Sequence, residues 1–396
     1  MQTITNDFVE KGTPAYLKIN IALFIAGFTI FSILYSVQPL IPHFSETFHV
    51  DKTTASLPLS TTTLTLAFAM LFFGAISEVV GRKPVMIFSV ISVSLLAIVQ
   101  PFITDFGAFL IVRLIQGICL AGLPSIAMAY IGEEISPSSL PEAMGIYIGG
   151  NAFGGAFGRI FTGYISSVFG YQTGLLSIAV LSVIAAVLFT ILLPKSQHFE
   201  QQKFSFKELI MSYWSHLRNI RLLKPFMLGF LFLGSNIAAF NYISFELKSA
   251  PYHLHPSVIS FVYLLFLIGM LSSMLNAKLR EKLGSINALK FSIIMLAVGI
   301  CVTLLPFLTF KILGLAISIY AFFSGHAIAS AVVARRSEHH NAQASSLYLL
   351  FYYMGSSVGG TLAGYFYSLI YWPGVVLMIV LFMVIAFIIS LTIKAR

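Results

Sequence analysis

Apolar runs of about 20 residues follow one another along the chain, broken by short polar stretches. Wound as a helix rising about 1.5 Å per residue, a run of that length crosses the roughly 30 Å hydrocarbon core of a bilayer. Twelve helices are expected. The first six cover Ile19–Ile41, Ala55–Ser77, Pro84–Ile103, Gly107–Ile131, Glu142–Ser166 and Gly174–Leu193. The second six cover Pro225–Leu247, Val258–Leu279, Ile286–Leu308, Ile312–Ala334, Gln343–Ile370 and Pro373–Ile393. Between them lies the longest polar stretch, Lys195–Lys224. There Ser205 and Glu208 form a capping box, and Phe206, Leu209, Ile210, Tyr213, Trp214 and Leu217 recur at helical spacing. This pattern predicts an amphipathic helix lying on the membrane surface. The expected division is residues 1–194 as one six-helix bundle, 195–224 as a linker and 225–396 as a second bundle.

Composition sharpens the picture. The chain is 58% hydrophobic and only 9% charged, outside the range of soluble domains. Its net charge of +9 raises the question of nucleic acid, and the distribution answers it. Of the 23 Lys and Arg, Lys52, Lys248 and Lys311 fall on one set of loops, Arg113 and Arg159 inside runs, and the rest on the opposite side. That asymmetry is the positive-inside pattern, and it places both termini and the linker in the cytoplasm. No nucleic-acid partner is expected. Cys119 and Cys301 both lie within apolar runs and imply neither a disulfide framework nor a metal knuckle. No phosphate-binding glycine loop or nucleophile triad stands out, so no catalytic residue, metal or cofactor is expected.

A tight charged turn, Gly74–Lys83, separates the second and third runs. Glu78, Gly81, Arg82 and Lys83 would place one acid and two bases at the inner surface. The acid–x–x–Gly spacing recurs at Glu281–Gly284, 203 positions later. At the nearby offset of 201, Tyr147, Gly154, Gly158, Gly163 and Tyr164 fall on Tyr348, Gly355, Gly359, Gly364 and Tyr365. The two halves thus share one plan, a parallel repeat.

The turn resembles the signature loop of the major facilitator superfamily, with Gly74, Gly81, Arg82 and Lys83 matching, Glu78 in place of Asp, and Val79 in place of a base. Arg113-Leu114-Ile115-Gln116-Gly117 is similar to that family's fourth-helix motif, Arg-x-x-Gln-Gly. Gly145–Gly163 resembles the glycine-rich fifth-helix motif of its exporters. There the Gly-Pro pair is Gly154-Gly155 and the closing Gly is Arg159, where the repeat keeps Gly360. The phrases YSVQPLIP, GLPSIAMAY and LYLLFYYMGSSVGGTLAGY resemble the drug/proton-antiporter and arabinose-efflux-permease-like branch. The resemblance implies an all-α membrane protein with the fold of that family, two pseudo-symmetric six-helix bundles around a central site, working by alternating access. It also implies a role for Arg113 in proton coupling or substrate binding, and gating by Gly74, Glu78, Gly81, Arg82 and Lys83.

A charge inside a span costs several kcal/mol unless paired or wetted. Counted along their helices, Arg113 and Arg159 reach the outer half within roughly 10 Å of one depth. No acid lies at mid-depth in the first six runs, and Glu246, at the outer end of the seventh, is the nearest protein candidate. A substrate carboxylate or phosphate fits the guanidinium fork, while each Arg can instead tie down backbone carbonyls. His326 is the one histidine inside a run and titrates in the range of a proton carrier. Tyr35, Gln38, Asn151 and Asn236 lie near mid-depth or at a helix end and can contact solute or bridge helices. Substrate contacts are therefore expected from Tyr35, Gln38, Arg113, Asn151, Arg159, Asn236 and His326, and proton coupling from Arg113, Glu246 and His326.

The expected protein is a monomeric secondary transporter of the cell membrane. Proton-coupled export of a small anionic or zwitterionic organic solute is the first expectation, covering organic acids, amino-acid or sugar derivatives and small metallophores. A broad multidrug exporter and a proton-coupled importer are the alternatives. Tags placed at Met1, within 195–224 and at Arg396 should all be inaccessible from outside intact cells, and labelling of any one from outside would overturn the orientation.

Overall fold

The computed structural model describes residues 8–201, 205–269, 272, 280–337 and 341–393. Each of the twelve expected runs begins in a helix. The first half holds α1 Pro14–Tyr35, α2 Ile41–Thr47, α3 Lys52–Ala55, α4 Leu57–Val80, α5 Arg82–Val99, α6 Phe106–Leu120, α7 Ala127–Glu134, α8 Leu140–Phe169 and α9 Tyr171–Leu192. The linker helix is α10, Phe206–Arg218. The second half holds α11 Ile220–Lys248, α12 Pro256–Ser260 with a 3-10 stretch Phe261–Leu267, α13 Ser285–Val302, α14 Leu308–Arg336 and α15 Asn341–Leu391. Eight stretches among the described residues are long and apolar enough to cross a membrane. The last joins two helices across a break at Ile370 and Tyr371. Residues 273–279, expected in the eighth run and at the start of the repeated turn, lie outside the described residues.

Three of the boundaries that differ from expectation have a reason in the backbone. The first run does not continue to Ile41. α1 stops at Tyr35, and a 3-10 turn at Gln38–Leu40 leads into α2, because Pro39 and Pro42 supply no amide donor. The fourth run is broken between α6 and α7. Pro124 lies in the gap and has no amide for the Leu120 carbonyl four residues back, while the Ser125 amide and hydroxyl both donate to the Ala121 carbonyl, at 3.4 and 2.7 Å. The seventh run starts five residues early, with Pro225 inside α11. Proline cannot donate to the carbonyl four residues back, and Arg336 Nη1 donates to that Arg221 oxygen instead, at 3.3 Å.

The linker helix forms where the capping box predicts. Ser205 accepts from the Glu208 amide, and Tyr213 Oη donates to the Leu71 carbonyl at 2.8 Å. At the opposite face, Asp51 caps α3 by accepting from the Thr53 and Thr54 amides at 2.8 and 3.1 Å. With the Thr54 hydroxyl, these bonds hold its carboxyl below the usual carboxylate range.

The glycines explain how the helices meet. A Cβ on Gly150, Gly154 or Gly158 would lie 2.6, 2.3 or 2.3 Å from the carbonyls of Phe24, Phe28 and Ser32. α8 therefore rides directly on the backbone of α1. The repeat does the same: a Cβ on Gly355 would lie 2.0 Å from the Phe230 carbonyl, and one on Gly359 2.5 Å from Gly234 Cα. Small residues that let two backbones touch are a main source of helix association in lipid. Gly158→Val should lower the melting temperature in detergent by the cost of overpacking, about 1–3 kcal/mol. Gly74→Ala, where an added Cβ meets nothing within 4 Å, should leave it unchanged. Equal effects at both positions would refute this packing account.

Candidate functional site

The end of the bundle carrying His43–Lys52 is the one expected from the charge pattern to face outward. There the two halves are joined. Gln38 Nε2 donates to Asn241 Oδ1 at 2.7 Å, Thr361 Oγ1 to Ser60 Oγ at 3.0 Å, and Lys248 pairs with Glu46 at 2.5 Å. A Cβ on Gly163 would lie 2.4 Å from Ser260 Oγ. Lys52 Nζ stands 4.6 Å from the centre of the Tyr367 ring.

Arg159 lies just beneath this junction. It is 2% exposed, and its guanidinium is sandwiched between aromatic rings from both halves. The central carbon is 3.7 Å from the centre of Tyr35 and 4.1 Å from that of Phe266, with Tyr263 at 5.9 Å. Ring faces attract a desolvated cation. Nε donates to Gln38 Oε1 at 2.6 Å and Nη1 to the Gly155 carbonyl at 2.7 Å. Among the described residues no carboxylate pairs with Arg159, and the Tyr35 hydroxyl is within hydrogen-bonding reach of its guanidinium.

Arg113 is differently placed. It is 0% exposed, and protein acceptors surround it: Pro58 O at 3.2 Å, Ile33 O at 3.4 Å, Leu34 O at 3.0 Å and Gln116 Oε1 at 2.6 Å. Ile33 and Leu34 are in the last turn of α1, whose carbonyls lose their partners at the Ser36–Val37 break. A cation there also meets the negative end of the helix dipole. Gln116 in turn accepts from Gln100 Nε2 at 2.5 Å. Arg113 is thus tied to protein carbonyls, one of the two roles open to it from the sequence.

His326 belongs to an aromatic cluster of the second half. Its Nδ1 is 2.8 Å from Tyr348 Oη, and its ring lies 4.4 Å from Tyr352 and 6.2 Å from Phe322. Tyr352 is within electrostatic reach of Tyr35 and Arg159, and Tyr353 within reach of Tyr35 and Tyr147. The structure thus brings Tyr35, Gln38 and Arg159 into direct contact and sets the His326 cluster beside them. Asn151 fills the space over Gly27, where a Cβ would lie 2.1 Å from its Oδ1, and that oxygen and Tyr147 Oη are buried without a partner. Asn236 is buried on α11. Glu246 stands apart, 2.5 Å from Lys311 Nζ, which also lies over Tyr252 and Trp372. It balances that lysine rather than either arginine. Among the described residues no three His, Cys, Asp or Glu side chains converge as a metal site.

At the opposite end of the bundle, Gly81 turns the chain with φ of +107°, a conformation open to glycine. Arg82 reaches Glu133 at 2.8 Å through Nη2 and Ser77 Oγ at 2.6 Å through Nη1. Lys83 donates to the Leu193 carbonyl at 2.5 Å. The turn therefore clamps the inner ends of α4, α5, α7 and α9 together. Burial and the nearby Glu78 carboxylate push the Tyr213 hydroxyl up to about 12 against a hydrogen bond with Ser346. Glu78 and the first turns of α15 thus face one another across the linker helix.

Sequence reasoning missed Asn241, Phe266, Tyr263 and Tyr352. The 203-residue offset carries Gln38 onto Asn241, so the signal for that residue was present. The aromatic partners of Arg159 come from another part of the chain and leave no local pattern.

A sequence model of the Major Facilitator Superfamily matches residues 23–332. The chain is 47% identical to the MFS-type transporter YybF of Bacillus subtilis over 96% of this chain and 94% of that protein. It is 34% identical to the inner membrane transport protein YnfM of Escherichia coli over 99% and 94%. Among solved structures, a bacterial homologue of the human lysosomal transporter Spinster, inward-facing and unoccupied, superposes with a TM-score of 0.76 at 15% identity, over 96% of this chain and 98% of that one. The nucleoside transporter NupG gives 0.75 at 18% identity over 96% and 100%.

If Arg113 ties α1, α4 and α6 together, Arg113→Met should lower the melting temperature by several degrees, the loss of one or two charged hydrogen bonds worth about 1.5–3 kcal/mol each. Arg113→Lys should recover only part, because an ammonium cannot span the same acceptors. A melting curve for Arg113→Met that overlays the wild type would remove the bracing role.

Proposed function

This chain belongs to the major facilitator superfamily and is a multi-pass membrane transporter, and we propose that it exports a small anionic or zwitterionic organic solute in exchange for protons. The observation that supports the solute class is Arg159. A guanidinium buried between two aromatic rings, with no acid paired to it, favours an anion that arrives and leaves. The N–H groups of Arg159 that are not given to Gln38 and Gly155 are donors for a carboxylate or phosphate oxygen, and Tyr35, Gln38, Asn151 and Tyr147 are further solute contacts in this reading. Asn236 borders the site from the second half. The rings of Phe322, Tyr348 and Tyr352 supply apolar contact for the body of the solute. The same rings favour a second reading, a broad multidrug exporter, since flat aromatic surfaces tolerate varied shapes.

His326, in contact with Tyr348 and next to Tyr352, is the proton carrier in this reading, with Glu246–Lys311 as a reserve pair. The two bundles, 1–194 and 225–396, rock about this centre. Twelve spans with both termini in the cytoplasm place the basic loops on the inner face of the plasma membrane, and the protein works as a monomer. When the inner side closes, Glu78 approaches the positive N-terminal end of α15 and caps it, while Gly81, Arg82 and Lys83 keep the turn in shape and Gly74 starts it.

The test compares the media of cells overexpressing the wild type and Arg159→Met. An anionic or zwitterionic compound should accumulate with the wild type and fall about tenfold or more in the variant, the loss of one charged hydrogen bond. The purified variant should keep its melting temperature. In proteoliposomes, flux of that compound should follow an imposed pH gradient, and His326→Gln should abolish the pH dependence. Undiminished export by Arg159→Met, or a purely cationic solute, would refute the assignment.

A further inference from the structure

Gln38 bridges two groups that belong to opposite halves. It accepts from Arg159 Nε at 2.6 Å and donates to Asn241 Oδ1 at 2.7 Å. The direction of both bonds is forced. Arginine can only donate, so Gln38 must turn its oxygen toward Arg159 and its amide nitrogen toward Asn241. Asn241 must then present its own oxygen. Its Nδ2 is consequently left without a partner in a side chain that is 0% exposed, next to Gly360, where a Cβ would lie 2.9 Å away. Gly360 is the repeat partner of Arg159, and Asn241 that of Gln38. Two equivalent amides therefore meet where the halves join, and the one arginine on the first-half side sets the orientation of both. The same seam carries the Ser60–Thr361 bond.

We propose that Asn241 is a positioning residue of the solute site and that the Arg159–Gln38–Asn241 relay couples Arg159 to the outer seal. This rests on Arg159 being the solute site. Opening the outer side separates α1 from α11 and must break the Gln38–Asn241 bond. Gln38 is then free to turn its amide and release Arg159 Nε. While the seal is closed, the asparagine holds the glutamine oxygen on that nitrogen and keeps the Nε hydrogen from solute. Arg159 thus offers solute one more N–H with the outer side open than with it closed. Coupling of this kind is reciprocal: what occupies Nε weakens the seal, and loss of the seal strengthens anion binding.

The experiment needs no solute. In a background with Cys119→Ala and Cys301→Ala, Ser260→Cys reports the outer seal, because Ser260 is buried in the junction itself, against Gly163. Its reaction with a membrane-impermeant thiol reagent added to the outside of intact cells is timed. Asn241→Leu and Gln38→Leu should each speed labelling about tenfold, the effect of one buried hydrogen bond. Asn241→Asp, which keeps an acceptor for Gln38 Nε2, should label no faster than the parent. Arg159→Met should also speed labelling, and its combination with Gln38→Leu should be no faster than Gln38→Leu alone, as for members of one network. An unchanged rate in Asn241→Leu, or multiplicative effects of Arg159→Met and Gln38→Leu, would overturn the relay. Melting temperatures within two degrees of the parent, about the scatter expected for a well-folded variant, are required of each protein, and Asn241→Ala replaces Asn241→Leu if the latter falls outside. Because labelling is read without solute, a relay that fails here and an Arg159 that fails to bind solute give separate results.

Discussion

In a bilayer no water reaches the backbone, so each interruption of a helix must be answered by another donor or acceptor. That constraint runs through this molecule. Where α1 ends at Tyr35, Arg113 supplies donors to Ile33 and Leu34. In the same turn the Ser36 hydroxyl donates to the Ile33 carbonyl at 2.9 Å. The breaks are also where the chain becomes useful. Gln38 opens the 3-10 turn after the first break, and this aims its amide at the seam between the halves rather than along a helix face.

Duplication explains the frame, and departures from it explain the site. The α8–α1 and α15–α11 contacts are built alike, by glycines seated on carbonyls at an offset of 201 residues. Symmetric packing of this kind sets the helix spacing but carries no chemistry. The chemistry enters where the copies differ. Arg159 stands opposite Gly360, Gln38 opposite Asn241, and a single cation polarises a junction of two equivalent amides. The aromatic lid over Arg159 is equally one-sided, with Tyr35 from the first half and Phe266 from the second.

The two embedded arginines show how similar sequence signals diverge in space. Both are desolvated, yet their helices differ in neighbours, α6 packing on α4 and α5 and α8 on α1 and α9. Arg113 finds four protein acceptors and is bound up with the helix framework. Arg159 finds Gln38, the Gly155 carbonyl and aromatic faces, with no carboxylate among the described residues. Desolvation is therefore matched by hydrogen bonds in one case and only partly in the other, which is the physical ground for assigning solute to Arg159.

The sequence by itself determined the class of protein, the order of helices, the linker helix and its cap, and the repeat, because these follow from local periodicity and from short spacings that survive duplication. It also marked the residues of interest: Arg113, Arg159, His326, Gln38 and Glu246 stand out as polar groups in apolar runs. What it left open was their partners. Whether Arg159 faces an acid, a carbonyl or a ring depends on residues more than 100 positions away, such as Tyr35 and Phe266, and no local pattern encodes that. The break at Ser36–Val37 was likewise hidden, since Pro39 and Pro42 can end a helix in more than one way. Only tertiary packing decided that Glu246 would pair with Lys311, that Arg113 would cap α1, and that Gln38 would meet Asn241. Each of those outcomes is a competition among distant donors and acceptors for the few satisfied positions that a water-free interior allows.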